Sequence, residues 1–341
     1  MTALVGCIGG GQLGRMLALA GAPLGVRFRF LDPSAEACAG DVGELLVGPY
    51  DDPLLLDRLA EGADAVTYEF ENVPVEAARR VGAVPDALAL ERGQDRLVEK
   101  ELFTSLGIPT APFGTLADTG LPARVKSRRL GYDGKGQRIV ESDEPIGDDE
   151  LAEEVVAFDR ELSVVAVRGR DGDTRFYPLA ENEHRGGILA VSRAPARDAP
   201  QAGAEAIATK LLDALDYVGV LAVELFEVDG LLLANEFAPR VHNTGHWTID
   251  GAVTSQFENH VRAILGWPLG PTEAIGESVM ANLVGETPPL ERLLGVPGAR
   301  VHLYGKEPRP GRKLGHVTLV DADEEAVAGF VALATAAWQS T

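Results

Sequence analysis

The sequence predicts an α/β protein in which a parallel-sheet domain is followed by strand-rich lobes and a small C-terminal β-rich extension. Three observations predict it. Residues 1–90 alternate short apolar strands with helices, the pattern of a parallel sheet covered on both faces. From Leu162 onward strands dominate, and two of them, 220–228 and 231–237, flank the turn dipeptide Asp229-Gly230. Of the 341 residues, 45% are hydrophobic and 24% charged, which suits a folded chain of two or three domains.

Taken in order, residues 3–8 form an apolar strand, and Gly9, Gly11 and Gly14 make a GxGxxG pattern that opens a helix over 12–20. A strand at 26–31 ends at Asp32; a helix at 54–61, a strand at 65–68 and a helix at 75–81 complete a Rossmann-like domain, 1–95. The helix 95–106 opens a small lobe, 96–161, with a proline-punctuated strand, a strand carrying Lys126, a glycine-rich loop at 131–137 and a further strand. Between Phe113 and Lys126 the chain is too short for a helix of ordinary length, and 148–154 reads as an acidic helix. The large lobe, 162–280, holds the hairpin, a helix at 204–215 and a helix at 253–265. Residues 281–341 supply short strands, the basic turn KEPRPGRK and an alanine-rich helix.

Charge and composition narrow the partners. Thirty-one basic against 52 acidic residues give a net charge of −21, which disfavours nonspecific binding to nucleic acid or to anionic membrane. No apolar run is long enough to span a bilayer, and the N-terminus, which breaks at once into glycines without a basic region, reads as a strand and not a signal peptide. Cys7 and Cys38 have neither zinc nor disulfide spacing, so a reducing cytoplasm is expected.

The most informative motif is a pair of glutamates, Glu224 and Glu236, on the two strands of the hairpin. A strict two-residue turn pairs Glu224 with Asn235 and sends Glu236 to the other face, whereas a bulge or odd loop centred on Gly230 sets Glu224 opposite Glu236. We adopt the second register. Facing carboxylates repel and are costly to bury, so they imply a hard cation between them, with Mg²⁺ and a phosphate ligand the natural pair. The alternative is one solvated glutamate and one that caps a local amide.

Other motifs carry similar double readings. The glycines at 9–14, with Asp32 ending the second strand, suit an anion at a helix N-terminus or a tight structural turn. Lys126 and the loop GYDGKGQ read as a lid over polyphosphate, the alternative being a solvated hairpin tip. Glu153 and Glu161 border a segment able to present backbone to a purine edge and a carboxylate to a ribose, or simply end an acidic surface element. Arg240, His242, Asn243 and His246 directly follow the hairpin, where cations and donors can stabilise an anionic intermediate. Lys306, Arg309, Arg312 and Lys313 form the densest basic cluster of an acidic chain, suited to phosphate capture.

Together, GGGQLGRM at 9–16, YEFENVP at 68–74, GYDGKGQ at 131–137, NEFAPRVHNTGHWT at 235–248 and RPGRKLGH at 309–316 resemble the ATP-grasp superfamily, in its branch that carboxylates aminoimidazole ribonucleotide during purine biosynthesis. The resemblance implies an ATP-grasp fold and an ATP-dependent carbon–nitrogen ligase that uses bicarbonate through carboxyphosphate. It also implies a cytoplasmic homodimer with ATP and Mg²⁺, as two ions. ATP would be held by Arg96, Lys126, the loop Gly131, Tyr132, Asp133, Gly134, Lys135, Gly136 and Gln137, the segment Glu153, Glu154, Val155 and Val156, and by Glu161, His184, Asn235 and Glu236. Glu224 and Glu236 would bind the metal. Gln12, Leu13, Lys306, Arg312 and Lys313 would take the ribonucleotide phosphate, and Glu71, Tyr132 and Asp133 its ribose and base. Arg240, His242, Asn243 and Lys126 would serve the reaction. Competing readings are a formate-using glycinamide ribonucleotide transformylase, a nicotinamide-dependent dehydrogenase built on residues 1–90, and a catalytically silent nucleotide sensor.

Overall fold

The computed structural model describes residues 2–131, 136–336 and 338. Its first sheet contains β1 (Leu4–Ile8), β2 (Arg27–Asp32), β3 (Glu44–Val47) and β4 (Ala65–Tyr68), all parallel in the order β3-β2-β1-β4. Helix α1 (Gln12–Gly21) buries Leu13, Met16 and Leu17 against Phe28 and Phe30 on one face, while α2 (Pro53–Ala60) and α3 (Val75–Arg80) pack Leu56, Leu59 and Ala78 on the other. Asp52 accepts from the amides of Leu54 and Leu55, which starts α2 at Pro53.

Two helices, α4 (Ala87–Gly93) and α5 (Arg96–Ser105), lead out of this domain. Asp95 caps α5 and also binds Arg128 and Arg129, fastening the helix to the small lobe. That lobe has the order β5-β8-β6-β7, with β5 (Phe113–Gly114), β6 (Ala123–Ser127), β7 (Gln137–Val140) and β8 (Glu150–Glu154) antiparallel throughout. The segment read as an acidic helix is therefore the strand β8. Leu151, Ala152 and Glu153 are buried on it between its neighbours β5 and β6, so strand pairing overrides the helical preference of its glutamates. A single turn, α6 (Leu116–Thr119), is all that fits between Phe113 and Lys126.

The third sheet has nine strands. Its path runs β14-β13-β9-β11-β12-β15-β17-β16, with β10 also paired to β9. The strands are β9 (Arg160–Arg168), β10 (Thr174–Phe176), β11 (Ala180–Arg185), β12 (Ile188–Ala194), β13 (Gly219–Val228), β14 (Leu231–Ala238), β15 (Ser278–Val284), β16 (Arg300–Leu303) and β17 (Lys313–Val320). Because β15 pairs with β12, the C-terminal strands continue the sheet of the large lobe. Helix α7 (Gln201–Ala214) covers Leu162, Val164, Leu221 and Val223 on one face of β9 and β13; α8 (Thr248–Gly251) and α9 (Gln256–Leu265) lie on the other side of the chain's core, and α10 (Leu290–Leu294) and α11 (Glu324–Thr335) close the C-terminal end. Among the described residues no helix is long and apolar enough to cross a membrane.

Candidate active site

The hairpin settles the register question. Asp229 (φ +49°) and Gly230 (φ +78°) form a two-residue turn with both central residues left-handed, and Val228 to Leu225 pair regularly with Leu231 to Ala234. The register then shifts, and Glu224 lies opposite Glu236. The facing pair is as expected, but the bulge is at Asn235 and not at Gly230. A bulge turns two consecutive residues toward one side, so Asn235 and Glu236 both face the same cavity. On the far edge of β14, Ala234 bonds to Pro109 and bridges to Thr110, which fixes the irregular backbone.

That cavity, about 790 Å³, lies where the three sheets meet. Glu161, Glu224 and Phe226 reach it from the face of β9 and β13 opposite α7, with period-two spacing. Burial and the neighbouring Glu236 push Glu224 up to about 7, whereas the Arg96 guanidinium, 2.8 Å from Glu236, outweighs burial and holds that carboxylate low. The pair therefore holds its one proton below neutral pH and gives it up as pH rises through about 7. His242 Nε2 lies 3.6 Å from Glu224 Oε1; burial and then Arg240 hold this imidazole down to about 3, so it is neutral at pH 7. His184 pairs with Glu161 on the same wall.

Across the cavity, β6 and β8 bring Lys126 and Glu153 together at 2.9 Å, and Lys126 also reaches Asn235 Oδ1 at 3.3 Å. Burial disfavours the Glu153 carboxylate, yet the ammonium groups of Lys126 and Lys100 outweigh it and hold the group below the usual carboxylate range. Its Oε1 is buried without a hydrogen-bond partner.

At the third corner, the glycine loop already holds an anion of its own. Glu69 accepts from the amides of Gly11 (2.6 Å) and Gly14 (2.8 Å), and Asp32 takes Gly10 at 2.8 Å and the hydroxyl of Tyr50 at 3.0 Å. A Cβ on Gly9 (φ +101°) would meet Glu69 Cγ at 2.5 Å, so glycine is required there by both conformation and space. Asp32 is thus a turn-fastening residue, which removes the dinucleotide fingerprint's ribose partner. Gln12 and Leu13 remain in the cavity wall, and Gln12 accepts from Lys306.

The expected residues Gln12, Leu13, Glu71, Arg96, Lys126, Gly131, Gly136, Gln137, Glu153, Glu154, Val156, Glu161, His184, Glu224, Asn235, Glu236, Arg240, His242, Asn243 and Lys313 line this one cavity. Arg240 is ion-paired with Glu71, and Asn243 is half-buried, its two side-chain polar atoms shielded from solvent and unpartnered. Val155 and Arg312 lie off the lining, Arg312 donating to the carbonyl of Glu307, and Lys306 reaches the site through Gln12. Tyr132, Asp133, Gly134 and Lys135 lie outside the described residues. The sequence reading missed Glu69, Arg124 and the stacked rings of Phe158 and Phe226, 4.8 Å apart and 9° from parallel. A lone aromatic within the acidic segment 153–161 was the available signal for Phe158.

Two lobes that clamp a cavity, one contributing a lysine strand and the other an acidic hairpin, define an ATP-grasp ligase, and residues 103–257 match the ATP-grasp domain. Residues 1–92 match the ribonucleotide synthetase preATP-grasp domain and 278–329 the phosphoribosylaminoimidazole carboxylase C-terminal domain. The chain belongs to the N5-carboxyaminoimidazole ribonucleotide synthase family. It is 49% identical to the Pseudomonas aeruginosa N5-carboxyaminoimidazole ribonucleotide synthase, over 96% of this chain and 97% of that protein. The N5-carboxyaminoimidazole ribonucleotide synthetase of Thermus thermophilus superposes with a TM-score of 0.92 at 54% identity, covering 97% of this chain and 98% of the other. The N5-carboxyaminoimidazole synthase of Aspergillus clavatus, solved with ADP and 5-aminoimidazole ribonucleotide, superposes at 0.87 with 30% identity, covering 98% and 99%.

Proposed function

We propose that the chain carboxylates 5-aminoimidazole ribonucleotide with bicarbonate and ATP, giving N5-carboxyaminoimidazole ribonucleotide, ADP and phosphate, in de novo purine biosynthesis. The observation that carries this reading is the Glu224–Glu236 pair, with Arg96 bound to Glu236 and Lys126 on the opposite lobe, in a cavity that also holds Arg240, His242 and Asn243. The ligands of the Aspergillus relative, ADP and the ribonucleotide, match the two ends of that cavity in chemistry.

In this reading Lys126 and Arg96 bind the ATP phosphates, Glu153 Oε1 accepts from the exocyclic amine of adenine, and Phe158 and Phe226 flank the base. Glu161 takes the ribose. Among the described residues no group of three or more His, Cys, Asp or Glu side chains could hold a metal ion. Two facing carboxylates, one of them raised by burial and by the charge of the other, nonetheless fit Mg²⁺, which commonly uses one or two carboxylates and completes its shell with phosphates and water. When bound, Mg²⁺ supplies charge neutralisation at the phosphates.

A bicarbonate oxygen attacks the γ-phosphorus, the bond to the β-bridging oxygen breaks, and ADP leaves. Arg240, fully charged and held by Glu71, stabilises the carboxyphosphate anion, and Asn243 offers a donor and an acceptor. The neutral imidazole of His242 donates a hydrogen bond without adding charge. The ribonucleotide amine then attacks the carboxyl carbon, and phosphate departs. Gln12, Leu13 and Lys313 hold the ribonucleotide phosphate, with Lys306 behind Gln12 and Arg312 off the lining adding positive charge, and closure of the small lobe shields carboxyphosphate from water. We further propose the division at residues 95, 161 and 280, and a homodimeric, cytoplasmic enzyme.

Phosphate release tests the reading. It is expected only when bicarbonate and aminoimidazole ribonucleotide are both present with MgATP; release with formate and glycinamide ribonucleotide instead would transfer the chain to the transformylase reaction.

A further inference from the structure

Lys100 carries no sequence signal, yet its side chain is wholly buried and lies outside the cavity lining. Its ammonium is 3.3 Å from Glu153 Oε2 and donates to Thr110 Oγ1 at 3.0 Å, and the Thr110 hydroxyl donates in turn to the carbonyl of Ala234 at 2.7 Å. Lys126 donates to the same Glu153 oxygen at 2.9 Å. Two ammonium groups thus share one carboxylate oxygen, and one of them is anchored to the bulged edge of β14.

The charge count gives this arrangement a purpose. Lys126 with Glu153 alone would be a neutral buried pair, with little attraction for a polyphosphate; Lys100 makes the group a net cation. It also protects the carboxylate. When Lys126 turns toward a phosphate oxygen, Glu153 keeps one ammonium and is not left as a lone buried anion, a state costly in a low-dielectric interior. We propose that Lys100 is a positioning residue for the nucleotide site, acting through Glu153 to release Lys126 to the phosphates without touching the nucleotide itself.

The inference rests on the reading of Lys126 as a phosphate contact, and the test separates the two. MgADP and adenosine are titrated into wild type, Lys100→Met and Lys100→Gln, the glutamine variant retaining a donor toward Thr110 should the methionine variant fold poorly. MgADP is expected to weaken roughly tenfold in both variants, the order of one lost charge interaction at a part-buried site, while adenosine binds as in wild type. Equal weakening of adenosine and MgADP would make Lys100 a structural residue and overturn the inference. So would unchanged MgADP binding. Absence of MgADP binding in wild type would overturn the function reading, and the inference with it.

Discussion

Lowering pH should unload the metal site well before it harms the fold. Glu224 is raised to about 7 by burial and by Glu236, whereas an unperturbed glutamate titrates near 4.5. A cation needs the ionised form, so its binding must expel the shared proton wherever that proton is present. At pH about 6 roughly one Glu224 in ten is ionised, so apparent affinity for Mg²⁺ in the presence of ADP should be about tenfold lower than its plateau above pH ~8. The sign for stability is opposite. With its folded value above its unfolded one, Glu224 contributes to metal-free stability most fully below the unfolded value, and that contribution is lost as pH rises toward 7. Calorimetry in two buffers of different ionisation enthalpy measures the effect directly: proton release near one per site is expected at pH ~6, fading by pH ~8. An affinity flat across that interval, with no proton released, would refute the claim that a cation displaces the proton from this pair.

Three further outcomes follow from the geometry. Glu236→Gln should lower Mg²⁺-dependent phosphate release by on the order of a hundredfold while circular dichroism and the melting profile remain those of a folded chain; near-normal turnover would count against the metal site. Lys313→Ala should raise KM for the ribonucleotide about tenfold and KM for ATP by less than about twofold, because the charge removed belongs to the basic cluster assigned to the ribonucleotide phosphate; equal effects would mean the basic cluster is misassigned. Asp95→Ala removes the cap of α5 and the partner of Arg128 and Arg129 together, so urea unfolding should show a loss of about 1–3 kcal/mol, and an unchanged midpoint would show the cap to be dispensable.

The sequence was most legible where chemistry is local. Period-two alternation and an Asp-Gly turn located the hairpin, and the cost of facing carboxylates gave the pairing of Glu224 with Glu236. The position of the bulge was not legible, because it depends on the Pro109–Thr110 segment lying along the outer edge of β14, more than a hundred residues away in the chain. The segment 148–154 was misread for a related reason. Its glutamates favour a helix locally, whereas the partners that make it a strand, β5 and β6, come from elsewhere. At the glycine loop the pattern announced an anion, but the anion on two of its amides is Glu69 from the end of β4, a residue that looks like one more charge in YEFENVP. Lys100 and Glu99 were hidden because a charged residue on a short amphipathic helix ordinarily faces water. Only the packing of α5 against β14 buries them, with Glu99 accepting from the amide of Phe237 at 2.7 Å.

The account depends on a divalent ion bound between Glu224 and Glu236. Anomalous diffraction from crystals soaked with ADP and Mn²⁺, a close substitute for Mg²⁺, tests it most directly. Peaks about 2.0–2.3 Å from oxygens of both carboxylates and of the ADP phosphates are predicted. A fully occupied nucleotide with no peak at the pair, and Arg96 still bound to Glu236, would contradict it.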